Sequence, residues 1–421
     1  MEGRKKASWS TAPAMAAVAL SLCLPAHAAP KCTVLHSFTG GPDGNGNAGV
    51  SLDEKGNVYG ASLGGGSQDC QDGCGLVWEL TPGAGGNWTL TPLYDFTGGD
   101  DGQNPYAPPT FGPAGVLYGT TEYGGAPKCG TAFELTPGSG GWEQSVLYAF
   151  GEQPGDGVYP TAGLAIDPAG NLYGTTPKAG AHGGGTVFEL FPGAGRWNET
   201  VLYAFCPTDN CPNGDDPYAG LILDASGNLY GTTSYGGKGC GGDGCGVVYE
   251  LSPVSGGRWK ETVLHRFDNN GKDGYTPGNG ALFMDALGNL YGTTEVGGAG
   301  AGADGMVFRL TPGPHGRWRE TILYNFNGGA EGGYPSGGVV MDNGGNLYGL
   351  TADGGIGCGV LYKLAPGGKG KWAYSVLHTF GQGADGCIPV GNLVLDKKGN
   401  LYGGTVLGGT TGNGIVFELT P

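Results

Sequence analysis

The residues best suited by type to do chemistry are loop tyrosines and carboxylates. Tyr106, Tyr123, Tyr159, Tyr218, Tyr235, Tyr275 and Tyr334 stand in segments rich in Asp, Gly and Pro, such as the run from Asp101 to Tyr106. A tyrosine ring lies flat on the apolar face of a sugar while its hydroxyl hydrogen-bonds. Tyrosines beside carboxylates and glycine-exposed backbone therefore suit an extended polar ligand such as a polysaccharide. The alternative is that a tyrosine next to proline, as in Pro105-Tyr106 and Pro217-Tyr218, only packs its own loop. Asp43, Asp101, Asp156, Asp273 and Asp385 each precede a glycine, and Asp215 and Asp216 join them. They read either as Asp-Gly turns or as carboxylates that hold calcium together with backbone carbonyls. No Asp-x-Asp-x-Asp-Gly loop is present, so the spacing does not specify calcium, and no other cofactor is indicated.

Cysteine and histidine are the other candidates. Cys70/Cys74, Cys206/Cys211 and Cys240/Cys245 are close pairs. No histidine or second cysteine pair stands at zinc-ligand spacing, so these read as disulfide staples and no metal site is expected. His36, His265 and His378 fall in a column filled elsewhere by Tyr94, Tyr148, Tyr203 and Tyr324. They read as strand residues substituting for tyrosine, which argues against a Ser-His-Asp or multi-histidine centre.

That column exists because the chain repeats. The unit runs W-x-x-x-V-L-Y-x-F, an Asp-Gly loop, A-G-L-x-x-D-x-x-G-N-L-Y-G-T-T, a Gly-rich loop, and G-T-V-F-E-L-T-P. The phenylalanines 38, 96, 150, 205, 267, 326 and 380 and the tyrosines 59, 118, 173, 230, 291, 348 and 402 form columns of seven, spaced 54 to 62 residues apart. Each unit holds four runs with the period-two alternation of a strand. In "IDPAGNLYG", Asp167 opens a hairpin turn and Gly170 supplies a left-handed position. Four antiparallel strands per unit predict an all-β, seven-bladed β-propeller. A parallel β-helix would not need two hairpins per unit. With "AGLxxD" as innermost strand A, "NLYGTT" as B, "GTVFELTP" as C and "WxxTVLYxF" as D, the chain begins on a lone D strand and ends on a lone C strand. Those two should pair and close the ring. Trp88, Trp142, Trp197, Trp259, Trp318 and Trp372 open strand D and read as packing between blades.

Residues 1–28 read as a signal peptide: Arg4, Lys5 and Lys6, an apolar run from Ala14 to Leu24, and Ala26-His27-Ala28 as cleavage site. Residues 29–421 then form one domain, secreted or periplasmic after cleavage near Ala28. Ten cysteines remain in that oxidising setting, where disulfides are the default. The formal charge is −16, and it becomes −18 once Glu2 and the three basic residues are removed. Such an acidic surface argues against phosphate-backbone binding, so no nucleic-acid partner is expected. No run is long and apolar enough to span a membrane, and a monomer is expected.

The repeat resembles the GloVer tandem repeat of choice-of-anchor bacterial exported proteins, best at 146–192 and 201–253. The resemblance implies bacterial origin, export and a β-repeat fold, and it brings no catalytic residues with it. Members often end in a surface-sorting segment; the chain ends on a repeat at Pro421, so release is expected.

In a propeller the D–A and B–C loops share one face, and here those are the long loops. Loops over a rigid scaffold carry function. Cys358 and Cys387 should meet there and pair; Cys32 falls at the opposite end of its strand, and Cys129 has no obvious partner. The leading expectation is a binding module for a polysaccharide or surface partner. The alternative is a polysaccharide lyase or hydrolase with loop carboxylates or a tyrosine as acid and base, and a third reading is purely structural.

Overall fold

The local order starts in the turn between strands A and B. Oδ1 of Asp167 accepts the backbone N–H groups of Ala169 and Asn171, both at 2.9 Å. Its Oδ2 accepts Nδ2 of Asn171 at 2.9 Å and the hydroxyl of Tyr173 at 3.2 Å. Gly170 takes φ 89°, a conformation costly for residues with a Cβ. The same network recurs around Asp53, Asp224, Asp285, Asp342 and Asp396. In the second repeat, which lacks this Asp, a Pro113–Gly115 turn with Ala114 left-handed takes its place. Asp167→Ala should therefore cost about 1–2 kcal/mol in a urea unfolding titration, because a turn bonded through a charged acceptor is lost.

This computed structural model describes residues 29–421 except 67–68, 279 and 300–301; the signal peptide expected at 1–28 lies outside the described residues. Among the described residues, successive hairpins build seven antiparallel sheets of four or five strands, arranged as blades, beside two short two-stranded ladders in the loops. In blade 3 the strands are Ala165–Ile166, Leu172–Thr176, Thr186–Pro192 and Trp197–Ala204, in the order A-B-C-D. Blade 7 is made from both ends of the chain. Cys387–Leu395, Leu401–Leu407 and Ile415–Thr420 are completed by Lys31–Ser37, with Cys32 opposite Leu419 and Ser37 opposite Ile415. The ring is closed as the phase of the repeat requires.

Strand A is shorter than the repeat suggests. In blades 2 to 6 only two residues of the A-G-L-x-x-D run pair with strand B. The reason lies at the axis. There the backbone of the Ala-Gly segments faces the neighbouring blade instead of a ladder: hydroxyls of Thr120, Thr175 and Thr293 donate to the carbonyls of Ala162, Ala219 and Gly337 one blade on. The approach is close, since a Cβ on Gly280 would lie 1.8 Å from the nitrogen of Gly338.

Packing between blades forms the core. Seven buried clusters each draw on two neighbouring blades. The phenylalanine that ends strand D is buried in every repeat. Its ring meets an aromatic side chain on strand C of the next blade, as in Phe150–Phe188 and Phe267–Phe308, 4.9 and 5.2 Å between centroids. Trp197 and Trp259 stack edge-on against Tyr118 and Tyr173 of the preceding blade.

Candidate functional site

Six of the seven D–A loops turn inward through a left-handed residue other than glycine. Asn104, Tyr159, Asp216, Thr276, Tyr334 and Ile388 have φ between 56° and 62°, each just before a buried proline. Their N–H groups donate to carbonyls in the preceding blade's B–C loop: Asn104 to Cys74, Tyr159 to Cys129, Asp216 to Gly184 and so on around the ring. Such backbone persists only where its surroundings over-determine it. It delivers the residue after the proline to the axis.

Seven blades converging leave a central channel of about 750 Å³. Tyr106, Thr161, Tyr218, Ser336 and Val390 occupy the same repeat position in its lining, and its charged lining residues are Glu122 and Glu295. Beside this mouth, blades 2 to 4 gather five tyrosines. Tyr123 contacts Tyr159 at 5.4 Å between centroids. A hydrogen bond to Glu122 raises the pKa of Tyr123, and the Tyr159 and Tyr218 hydroxyls add to the effect. Burial, then the charge of Glu122, raises Tyr106. Tyr218 is raised by burial and feels Lys178, Asp216, Glu122 and Tyr235. The Lys178 ammonium is bonded to Asp216; burial works against its charge, but the carboxylate outweighs burial and raises its pKa. Tyr106, Tyr123, Tyr218 and Tyr235 keep about two-fifths of their surface exposed. Tyr275 and Tyr334 stand apart, on blades 5 and 6.

The Asp-Gly carboxylates are elsewhere. Asp101 and Asp156 accept the hydroxyls of Tyr94 and Tyr148, at 3.0 and 2.8 Å. Asp43, Asp273 and Asp385 face Nε2 of His36, His265 and His378 at 3.0, 3.3 and 3.0 Å. Asp43, Asp101, Asp273 and Asp385 also accept a backbone N–H of their own loop. They form a girdle between blades, completed in blades 2 to 6 by the third residue of the strand-D Trp-x-x run, Gln144, Glu199, Glu261, Glu320 and Tyr374. Gln144 reaches the carbonyl of Asp101, and Glu261 accepts Nδ2 of Asn213. Glu199 and Glu261 are pushed up to about 7, by burial first; for Glu199 the Asp156 charge adds to it. Sequence reasoning missed Glu122, Glu295 and the three glutamates of this column, Glu199, Glu261 and Glu320. Aligning the residue after Thr-Thr and the residue two after Trp would have shown them.

Four disulfides join Cys70–Cys74, Cys206–Cys211, Cys240–Cys245 and Cys358–Cys387, all on the long-loop face, and Cys32 and Cys129 carry free thiols. Four such bonds suit an oxidising compartment. No helix among the described residues is long and apolar enough to cross a membrane.

A model of the Gloeobacter/Verrucomicrobia repeat matches residues 25–243 and 238–421. The chain belongs to that family. In this Gloeobacter/Verrucomicrobia repeat protein the two matched ranges together span all seven blades. No curated protein matches the chain. Among solved structures it is similar to a candidate glucose-dehydrogenase-type oxidoreductase of Thermus thermophilus, at 14% identity over 93% of this chain and 100% of that one, with TM-score 0.43. A candidate 6-phosphogluconolactonase of Bacteroides uniformis is 12% identical over 85% and 89%, with TM-score 0.49. A protein of unknown function from Dyadobacter fermentans is 11% identical over 92% and 96%, with TM-score 0.46. Likeness at this distance says nothing about chemistry.

Proposed function

We propose that this protein is an exported binding module that holds a neutral or amine-bearing polysaccharide over the channel mouth and across blades 2 to 4. The observation that carries this reading is the gathering of Tyr106, Tyr123, Tyr159, Tyr218 and Tyr235 beside a cavity whose charged lining residues are both glutamates. Part-exposed tyrosines offer flat apolar area with a polar tip, at little cost in side-chain entropy. The sign of charge narrows the ligand. Lys128, Lys178, Lys238, Arg266 and Lys272 are the cations on or beside the long-loop face, which is otherwise crowded with Asp and Glu. A polyanionic chain would be repelled there.

Binding is favoured over catalysis because Glu199 and Glu261, whose proton affinity is strongly raised, stand in the inter-blade girdle, not in the channel lining. A glycan array, run with and without calcium and followed by a reducing-end assay on the hits, tests the proposal. The expected result is calcium-independent binding of neutral or amine-bearing chains without new reducing ends. Tyr106→Ala and Tyr218→Ala should each weaken binding about tenfold, or ~1.4 kcal/mol. Affinity unchanged in the double variant would remove the site, and release of reducing ends would make the protein an enzyme.

A further inference from the structure

We propose that His265, Asp273 and Glu320 form a tetrahedral site for a divalent transition-metal ion, zinc being the best fit, that clamps blade 4 to blade 5. Among the described residues, this is the one place where three His, Cys, Asp or Glu side chains bring ligand atoms within 4.8 Å of one another. Nε2 of His265 lies 3.3 Å from Oδ2 of Asp273 and 3.6 Å from Oε1 of Glu320. Ligands bound at ~2.1 Å at the corners of a tetrahedron stand ~3.4 Å apart, so both separations are tetrahedral edges. Imidazole with two carboxylates is a donor set zinc takes readily, and the nitrogen and short span disfavour calcium, which prefers six or more oxygens.

The other junctions of the ring serve as internal controls. The same three positions hold His36, Asp43 and Leu90 between blades 7 and 1, and Tyr148, Asp156 and Glu199 between blades 2 and 3. His36–Asp43 and His378–Asp385 close to 3.0 Å, a hydrogen bond that explains itself. At His265 the pair opens to 3.3 Å, a second carboxylate faces the same nitrogen, and the buried Oε1 of Glu320 finds no hydrogen-bond partner. An ion satisfies all three. Asp273 is already held in place, its Oδ2 accepting the N–H of Asp268 at 3.1 Å and its Oδ1 that of Gly274 at 2.9 Å. Such outer bonds orient metal ligands. The three side chains keep 20, 10 and 18% of their surface exposed, which leaves a path for water as fourth ligand.

The test is titration of the metal-stripped, folded protein with Co(II) at neutral pH. It would be repeated on His265→Tyr and Glu320→Leu, residues that other blades carry at these positions. The expected result is one equivalent bound with the strong visible bands of four-coordinate cobalt, competed off by zinc, with affinity at least ~100-fold weaker in each variant. Zinc should also raise the wild-type melting temperature and leave the variants unmoved. No saturable binding to the wild type overturns the proposal, whatever the variants do. So do the weak bands of six-coordinate cobalt, or unchanged affinity in either variant that melts cooperatively.

Discussion

A chain that begins at residue 39 should lose at least ~5 kcal/mol of stability and expose a sticky sheet edge. Lys31–Ser37 is the outer strand of blade 7, paired along Ile415–Thr420. It is followed by Phe38, wholly buried, whose N–H donates to the Gly414 carbonyl at 3.1 Å and whose ring meets Trp78 of blade 1 at 5.6 Å. Leu35 and Phe38 belong to the cluster that joins blade 7 to blade 1 through Val50, Trp78 and Val416. Each large apolar side chain removed from such a core costs ~1.5–3 kcal/mol in burial alone, and the cavity adds to that. Whole domains have only ~5–15 kcal/mol to lose. The bare Ile415–Thr420 edge would then recruit strands from other copies. Size-exclusion chromatography and urea unfolding read the result: aggregation or an early, broad transition is expected. Phe38→Ala, with the ladder intact, should cost ~3–5 kcal/mol and leave the protein monomeric. A truncated monomer with an unchanged urea midpoint would mean that the closing strand is ornamental.

The closing strand was readable in the sequence because it depends only on phase: a repeat that starts in D and ends in C leaves two partners unpaired. The same holds for the Asp167 turn, where one residue specifies its own geometry. The site was less readable, and for a physical reason. Asp101 and Asp156 read from spacing as Asp-Gly turns or as calcium ligands, and only the strand register shows that Tyr94 and Tyr148 donate to them from the preceding strand. The left-handed residues before proline run against the usual preference for extended backbone there, so local rules do not find them. Glu122 and Glu295 follow Thr-Thr at the end of a strand and become channel lining only when seven strands converge. The loops share a vocabulary of Asp, Gly, Tyr and Pro, yet Tyr106, Thr161, Tyr218, Ser336 and Val390 differ where they meet the channel. Symmetry is kept in the scaffold and broken at the axis.

The girdle makes a prediction of unusual sign: the protein should be more stable at pH 5 than at pH 7.5. Glu199 and Glu261 are pushed up to about 7, by burial first, with Asp156 adding to the effect at Glu199 and Arg266 opposing it at Glu261. In an unfolded chain a glutamate titrates near 4.3. Between these values the folded state binds more protons, so stability is fully present below the unfolded pKa and is lost as pH rises through 7. Both side chains are partly open to water, so roughly 1–2 kcal/mol each is a fair size after screening. The turn aspartates set the acid limit. At Asp224, Asp285 and Asp342 burial opposes ionisation, but hydrogen bonds from Asn228, Asn289 and Asn346 outweigh it and lower the pKa. Their contribution is present above ~3.9 and is lost as pH falls through the depressed values. The optimum should therefore lie near pH 4.5–5.5, where relief of the acidic surface's self-repulsion acts in the same direction. Urea midpoints from pH 4 to 8 measure it. Glu199→Gln with Glu261→Gln should flatten the slope and raise stability at pH 7.5, since blade 2 already places Gln144 at this position and bonds it to the Asp101 carbonyl at 3.1 Å. Wild-type stability that climbs between pH 5 and 7.5 would show that these glutamates ionise freely, and that solvent reaches the girdle more fully than its packing implies.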